Sequence, residues 1–292
     1  AAATIGTGTY SEVWRMKYYK STLETNLRKA MVAEAIFNKD TSNSYYIANP
    51  YGNQPVASAA TMAGTYAISN ITTTDDTLTV TDQITYGEHI RRFEQSLSNY
   101  DLWASRVDEL SYAVAQRADA WVLNEILEAS TSTYTTPAGG FTTAGNFITI
   151  LANCLLKVSG YSDLYKGTFL VVENTDLAGI IPAMATNGFS MSDMVLKNGF
   201  MDSYMGVDIF VVRTGTFIDA TTTTASGSKT WTNSGLRMFG VKNVATYCIP
   251  GGIDVDEKKV TLLTGRELSV VLDIGAKLWA PKTDLIVEIT LA

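Results

Sequence analysis

Apolar residues recur at three- and four-residue steps most persistently between Ser98 and Glu128. Trp103, Val107, Leu110, Val114 and Trp121 share one face there, and Ala118 fills the narrow turn between them. Such a stripe predicts an amphipathic helix, with Ser98 and Asp101 supplying capping chemistry and early negative charge. About thirty residues at roughly 1.5 Å each make a rod of about 45 Å, long beside the usual helix of about three turns. A second helix is predicted over 11–37. Ser21 and Glu24 match a capping box, Leu23, Leu27, Ala30 and Met31 follow at helical spacing, and Trp14 and Tyr18 form an earlier stripe. Asn38 and Asp40 end this amphipathic arm. Shorter helices are predicted over 144–159 (Phe147, Leu151 and Leu155 on one face), 177–185 and 191–196, with Asn187-Gly188 and Asn198-Gly199 as turns.

Short β-branched and aromatic runs predict strands over 87–94, 168–172, 207–212, 236–240, 245–249, 260–264, 268–277 and 285–291. A helical arm, then a long helix, then mixed helices and strands gives an α+β class. Residues 41–87 change character: Tyr, Asn, Ser, Thr, Ala and Gly dominate, with Pro50 and Pro55. Short strands are expected at 66–69 and 78–81, with a turn at Thr74-Asp75-Asp76. So long a segment with little core-forming pattern is either a projecting hairpin or a linker. Residues 215–235 form a Thr/Ser/Gly-rich insertion, expected to be exposed.

Composition sharpens this. Apolar residues make up 46% and charged residues 17%, against about 25% charged in an average domain, which excludes intrinsic disorder. No apolar run approaches the roughly 18 residues of a membrane helix, so no membrane partner is expected. The opening Ala1-Ala2-Ala3, without a basic-then-apolar leader, is expected to follow a trimmed or missing start. A surface so poor in charge suits covering by identical copies of the chain. The net charge of −7 excludes a strong phosphate-tracking groove. It is unevenly spread: residues 1–39 carry a net +3, while 40–89 carry −5 and contain no Lys or Arg. Cys154 and Cys248 sit in apolar runs and read as buried thiols of a chain folded in a reducing compartment.

Catalytic constellations do not emerge. His89 is the only histidine, which leaves no His-based metal cluster; a Ser–His–Asp triad would have to use it without a Gly-x-Ser-x-Gly turn. Gly6-Thr7-Gly8 lacks both a preceding strand and a third glycine, with Ser11 in that place. Gly227-Ser228-Lys229-Thr230 lacks the opening glycine of a phosphate loop, where Thr222 stands. Both read as flexible loops. Asp254, Asp256 and Glu257 have no glycine-pivoted loop around them and read as a solvated turn between strands. The chain is expected to be no enzyme, with no catalytic, cofactor-binding or metal-binding residues.

The order of elements from residue 78 onward resembles the major capsid proteins of tailed bacteriophages. Leu78-Thr79-Val80 is followed by the strand around His89–Glu94 and by the long helix closing in Arg117-Ala118-Asp119-Ala120-Trp121-Val122-Leu123. Gly167-Thr168-Phe169-Leu170-Val171-Val172 is similar to the central strand of that family. Met205-Gly206-Val207-Asp208-Ile209-Phe210-Val211-Val212 is similar to its glycine-then-buried-strand element. Asp273–Pro281 followed by Asp284–Ile289 is similar to its closing stretch. The order, over roughly 78–292, carries the resemblance more than any one short motif.

The resemblance implies a Hong Kong 97-like capsid fold. It would have an N-terminal arm (1–39), an extended β-hairpin loop (40–87), a peripheral domain with a spine helix (88–137 and 251–280) and an axial domain (138–250 and 281–292). It implies a virion coat protein, assembled in the host cytoplasm into an icosahedral-type shell of hexamers and pentamers around double-stranded DNA bound without sequence specificity. Implied partners are further copies of the chain, a scaffolding protein, a portal and a cement protein. Candidate inter-subunit contacts are Trp14, Tyr18, Tyr45, Tyr46, Tyr51, Tyr66 and Ile68; Arg15, Lys17, Lys20, Arg28 and Lys29 are candidates to face DNA in the interior. The opening residues do not read as the acidic coiled-coil leader of some members, so scaffolding is expected to be a separate protein or to have been removed with the missing start, and the 215–235 insertion is a second departure from the family. Some members of the fold weld subunits through a loop lysine. Here nothing between Lys39 and Arg91 supplies that amine, so only non-covalent contacts are expected. An encapsulin-like compartment, which shares the fold, and a β-rich carbohydrate-active enzyme are the alternative readings.

Overall fold

The computed structural model describes residues 31–52, 73–91, 102–143, 145–160, 166–186, 200–224, 227–260 and 265–292. Among the described residues the first helix is one turn, Ala33–Ile36 (α1), and Phe37 is already extended. Residues 1–30 of the predicted arm lie outside the described residues. Asn38 and Asp40 do more than end a helix, because Asn38–Asp40 is a strand (β1). Two strands, Tyr46–Gly52 (β2) and Thr73–Thr79 (β3), pair antiparallel from Tyr46↔Thr79 to Gly52↔Thr73. The expected turn at Thr74-Asp75-Asp76 is therefore wrong: Asp75 and Asp76 lie within β3, opposite Pro50 and Asn49. The expected strand at 66–69 lies outside the described residues.

Asp82–Arg91 (β4) starts earlier than its apolar pattern suggested, because a neighbouring strand pairs with it along its whole length. The long helix is Leu102–Glu128 (α2), 27 residues or about 40 Å; Ser98 and Asp101 lie outside the described residues. Leu110, Val114, Ala118 and Trp121 are buried as the stripe predicted, but so are Val122, Leu123, Ile126 and Leu127. The last turns are enclosed on more than one side.

Ser132–Thr135 (β5), Asn146–Val158 (α3), Thr168–Glu173 (β6), Leu177–Thr186 (α4), Phe200–Tyr204 (β7) and Val207–Val212 (β8) follow. The expected helix at 191–196 and its flanking turns lie outside the described residues. Asp219–Thr224 (β9) and Gly227–Thr232 (β10) form a second two-stranded ribbon. The chain closes with Leu236–Val241 (β11), Ala245–Cys248 (β12), Ile253–Val260 (β13), Gly265–Leu278 (β14) and Ile286–Thr290 (β15). Asp254, Asp256 and Glu257 belong to β13, paired with Val271, Ser269 and Leu268 of β14. A ladder partner decides this where three acids suggested a turn.

A six-stranded sheet runs β5-β15-β11-β6-β8-β7. Its centre, β6, is buried at all six positions and pairs parallel with β8 through the α4 crossover, as continuous apolar strands under helices do. The other sheet joins β1, β12, β14 and β13, with β4 also on β14. The ladders of β14 to β4 and to β13 make a long three-stranded tongue, whose Leu268, Val270 and Leu272 are buried near α2. One continuous core runs from Met31–Phe37 through α2 to both sheets. A small satellite cluster of Leu78, Val80, Cys248 and Trp279, with Ile47 against it, lies under the first ribbon.

Candidate inter-subunit surfaces

Three features, the segment at α1 and the two β-ribbons, are each held on the body by specific chemistry. The first is the segment entering α1. Met31, Val32, Ala33, Ile36 and Phe37 are buried, with Phe37 edge-on to Phe169 at 5.6 Å between ring centroids. Asn243 donates its amide to the Ile36 carbonyl at 3.0 Å, and β1 then pairs parallel with β12.

The second is the β2–β3 ribbon. An isolated two-stranded hairpin is marginal in water, and this one is clamped at its base. Leu78 and Val80 seal the satellite cluster with Trp279, whose indole donates to Thr246 Oγ1 at 3.0 Å. Asp76 accepts the Ala280 amide at 2.7 Å and pairs with Lys277 at 3.2 Å. The Tyr45 hydroxyl donates to Asp273 at 2.6 Å, which Gln83 also reaches at 2.9 Å. The bond to the carboxylate, and then its charge, push the Tyr45 hydroxyl pKa upward. The ribbon crosses β14 at Gly275, where a Cβ would stand 2.9 Å from Val80 Cγ2 and 3.2 Å from its Cα. Only a residue without a side chain allows that approach.

The third is the β9–β10 ribbon, the insertion expected to be an exposed loop. Its roots are instead deeply buried: Phe217 and Trp231 are 2% and 1% exposed. Trp231 meets Trp121 of α2 edge-on at 6.3 Å and donates its indole N–H to Glu125 at 3.2 Å. Asn124 of α2 is the hub. Its Nδ2 donates to the carbonyls of Ala120 and Thr216 at 2.7 and 2.8 Å, and its Oδ1 accepts from the Ile218 amide and Asn233 Nδ2 at 3.2 and 3.1 Å. That exhausts the bonding capacity of a buried amide. On the other side Gly215 donates its amide to Glu173 at 3.0 Å. Glu173 and Asp176 in turn hold the buried Arg237 guanidinium at 3.1 and 3.2 Å.

Of the contact candidates, Tyr45 and Tyr46 are 53% and 58% exposed and Tyr51 is half-buried on β2. Trp14, Tyr18, Tyr66 and Ile68 lie outside the described residues, as do Arg15, Lys17, Lys20, Arg28 and Lys29. The residues that fix the two ribbons (Asp76, Gly275, Asn124, Trp231) were not singled out from sequence. Only a Trp and a Phe inside a Thr-rich stretch hinted that the insertion has a buried root.

Among the described residues no group of three or more His, Cys, Asp or Glu could hold a metal ion, and no helix is long and apolar enough to cross a membrane. Cys154 and Cys248 are buried and unbridged, and burial pushes their thiols up to about 12 and about 11, away from the reactive thiolate.

No family model matches this chain, and no curated protein sequence does. Solved structures do. The capsid structure of the cyanophage P-SCSP1u is similar with a TM-score of 0.67 at 11% identity, over 90% of this chain and 89% of that one. A structure from Mycobacterium phage Che8 is similar with a TM-score of 0.66 at 13% identity, over 89% and 90%. A virus-like particle from Pyrococcus furiosus is similar with a TM-score of 0.60 at 11% identity, over 94% and 99%. With this mixed α+β architecture and so nearly end-to-end a likeness, the chain has the fold of the tailed-bacteriophage capsid proteins.

Proposed function

We propose that this chain is a structural coat protein whose copies assemble into a closed, icosahedral-type shell around double-stranded DNA. The observation that carries this reading is the fold shared with phage capsids over about nine-tenths of both chains. Rooted ribbons support it: a self-contained enzyme has no use for two separately mounted β-ribbons, whereas a shell subunit must bury its flanks on neighbours. In this reading α2 is the spine of a peripheral domain (88–137 and 251–280). The β6-centred sheet is the axial domain (138–250 and 281–292), residues 1–39 are the arm and 40–87 the extended loop. Exposed Tyr45 and Tyr46, with Tyr51, Tyr66 and Ile68, pack onto a neighbour, as do Trp14 and Tyr18 of the arm.

Heterologous contacts of this kind close into hexamers and pentamers, with a scaffolding protein and a portal during assembly in the host cytoplasm and a cement protein outside. DNA is content rather than a specific ligand. Its contacts are weak, salt-sensitive and limited to the basic arm around Arg15, Lys17, Lys20, Arg28 and Lys29, since the chain as a whole carries −7. Subunits are held without covalent welds, because residues 40–90 hold no Lys or Arg and both cysteines are buried.

Electron microscopy of the purified full chain, with and without co-expressed scaffold, tests the assembly. Closed particles are expected. A stable monomer at high concentration under both conditions overturns it, and particles filled with an enzyme rather than DNA favour the compartment reading. On a denaturing gel, boiled and unreduced particles are expected to run as one band of about 32 kDa, the mass of a single chain (31.7 kDa).

A further inference from the structure

Between β8 and β11 the chain leaves the six-stranded sheet, builds the β9–β10 ribbon against α2 and returns to that sheet. Its outgoing and returning passes are each anchored at two ends. The sheet end is Glu173 and the turn that follows it, Asn174–Asp176. Asn174 Oδ1 accepts both the amide and the hydroxyl of Thr214, and Glu173 accepts the next amide, that of Gly215. On the return Arg237 of β11 grips the same turn. Its Nε and Nη2 donate to the two oxygens of Asp176, and Nη2 also donates to Glu173. The α2 end is Asn124, which binds Thr216 and Ile218 on the way out and Asn233 on the way back. Glu128 accepts the Thr232 amide at 3.3 Å, and the Asn233 amide ties the two passes together at the Ile218 carbonyl.

These anchors leave no slack. Gly215 is held from the sheet and Thr216, the next residue, from α2, and consecutive Cα atoms stand about 3.8 Å apart. On the return a turn bond from the Leu236 amide to the Asn233 carbonyl draws Asn233 toward Arg237. α2 also meets β15 of the sheet directly. Core packing of that kind is non-directional and tolerates sliding, whereas hydrogen bonds fix both distance and angle. The Arg237 group adds geometry more than energy. Its side chain is 5% exposed and those of Glu173 and Asp176 are 9% and 3%, so desolvation of three charges offsets much of their attraction. The two-pronged grip on Asp176 nevertheless sets a single orientation.

We propose that residues 213–237 are a brace that makes the β9–β10 ribbon, the C-terminal half of α2 and the turn after β6 a single cooperative unit. Whatever seats the ribbon then also sets the angle of α2 on the sheet, and a shift of α2 is felt at Arg237. The opposing arrangement is two independent roots, each stabilising only its own surroundings. The brace is a property of one chain and does not depend on whether the chain builds a shell.

Native-state hydrogen exchange of the full chain tests this, because amides that open together share one opening equilibrium. Asn174 is exposed, and Asn174→Ala removes the sheet-end acceptor of Thr214. It is expected to quicken the distant Ile218, Thr232 and Asn233 amides about fivefold, the factor of one net hydrogen bond, together with Thr214 and Gly215. Asn124→Ala should quicken Thr214 and Gly215 in the reverse direction by a similar factor. Asn174→Asp keeps the acceptor and should leave Ile218, Thr232 and Asn233 at their wild-type rates. Exchange that quickens only at the substituted end overturns the proposal. So does an equal rise at Val270 and Leu272 of β14, which lie outside the brace. Should Asn124→Ala fail to fold, Glu128→Ala takes its place with the same two outcomes, since it removes the Thr232 acceptor at an exposed position of α2.

Discussion

The two β-ribbons are alike in backbone and opposite in how they are held. The β2–β3 ribbon lies across β14 and is fixed by a small satellite cluster with a partly exposed polar clamp, Asp76 to Ala280 and Lys277, and Tyr45 to Asp273. The β9–β10 ribbon instead inserts its roots into the main core, with Trp231 against Trp121 and every polar atom of the Asn124 side chain used. The first arrangement keeps the ribbon in place through many small contributions that solvent can replace. The second depends on a few buried groups that nothing can replace. A ribbon held by the first kind of root can be re-aimed at low cost, whereas one held by the second is a rigid extension of α2.

The comparison can be broken most severely at the deep root. Trp231→Ala is expected to cost about 3–5 kcal/mol, the usual range for an emptied aromatic site, read by urea unfolding of the isolated chain. Asn124→Ala should follow at roughly 1–3 kcal/mol, because it strands the partly buried Ile218 amide and Thr216 carbonyl. Protease cuts should also appear in 213–235 well below the unfolding midpoint. At the shallow root, Gly275→Val should cost about 1–3 kcal/mol through overpacking against Val80, with new cleavage confined to 41–80. Asp76→Ala should cost about 1 kcal/mol. Most of that loss comes from the Ala280 amide, since Lys277 is 39% exposed and exposed pairs contribute little. Tyr45→Phe is the smallest perturbation: stability should hold within about 0.5 kcal/mol, while the ribbon's amide exchange quickens. An Asn124→Ala protein as stable as the wild type would erase the distinction between the two roots.

Much of this was legible in the residue pattern, for identifiable reasons. The α2 stripe from Leu110 to Trp121 and the continuous apolar runs of β6 and β8 are periodic over enough residues that burial follows the period. The order of those elements sufficed for the α+β class and for the likeness to phage coat proteins. Local chemistry misled where a distant strand supplied the partner. Asp75-Asp76 and the Asp254–Glu257 run have the composition of turns, yet each pairs along a ladder whose other side lies elsewhere in the sequence.

The sequence by itself determined the long helix, the buried central strands, a stretch from 40 to 90 without Lys or Arg and two buried thiols, because each depends on residue type and short-range spacing. Only the tertiary structure decided that Gly275 must be bare, that Asn124 and Trp231 root the insertion, and that Asp119 accepts the Ala33 amide. These are contacts between residues about 86 to 195 positions apart in the chain. No local periodicity encodes such contacts, since they exist only once two surfaces have closed on each other and excluded water.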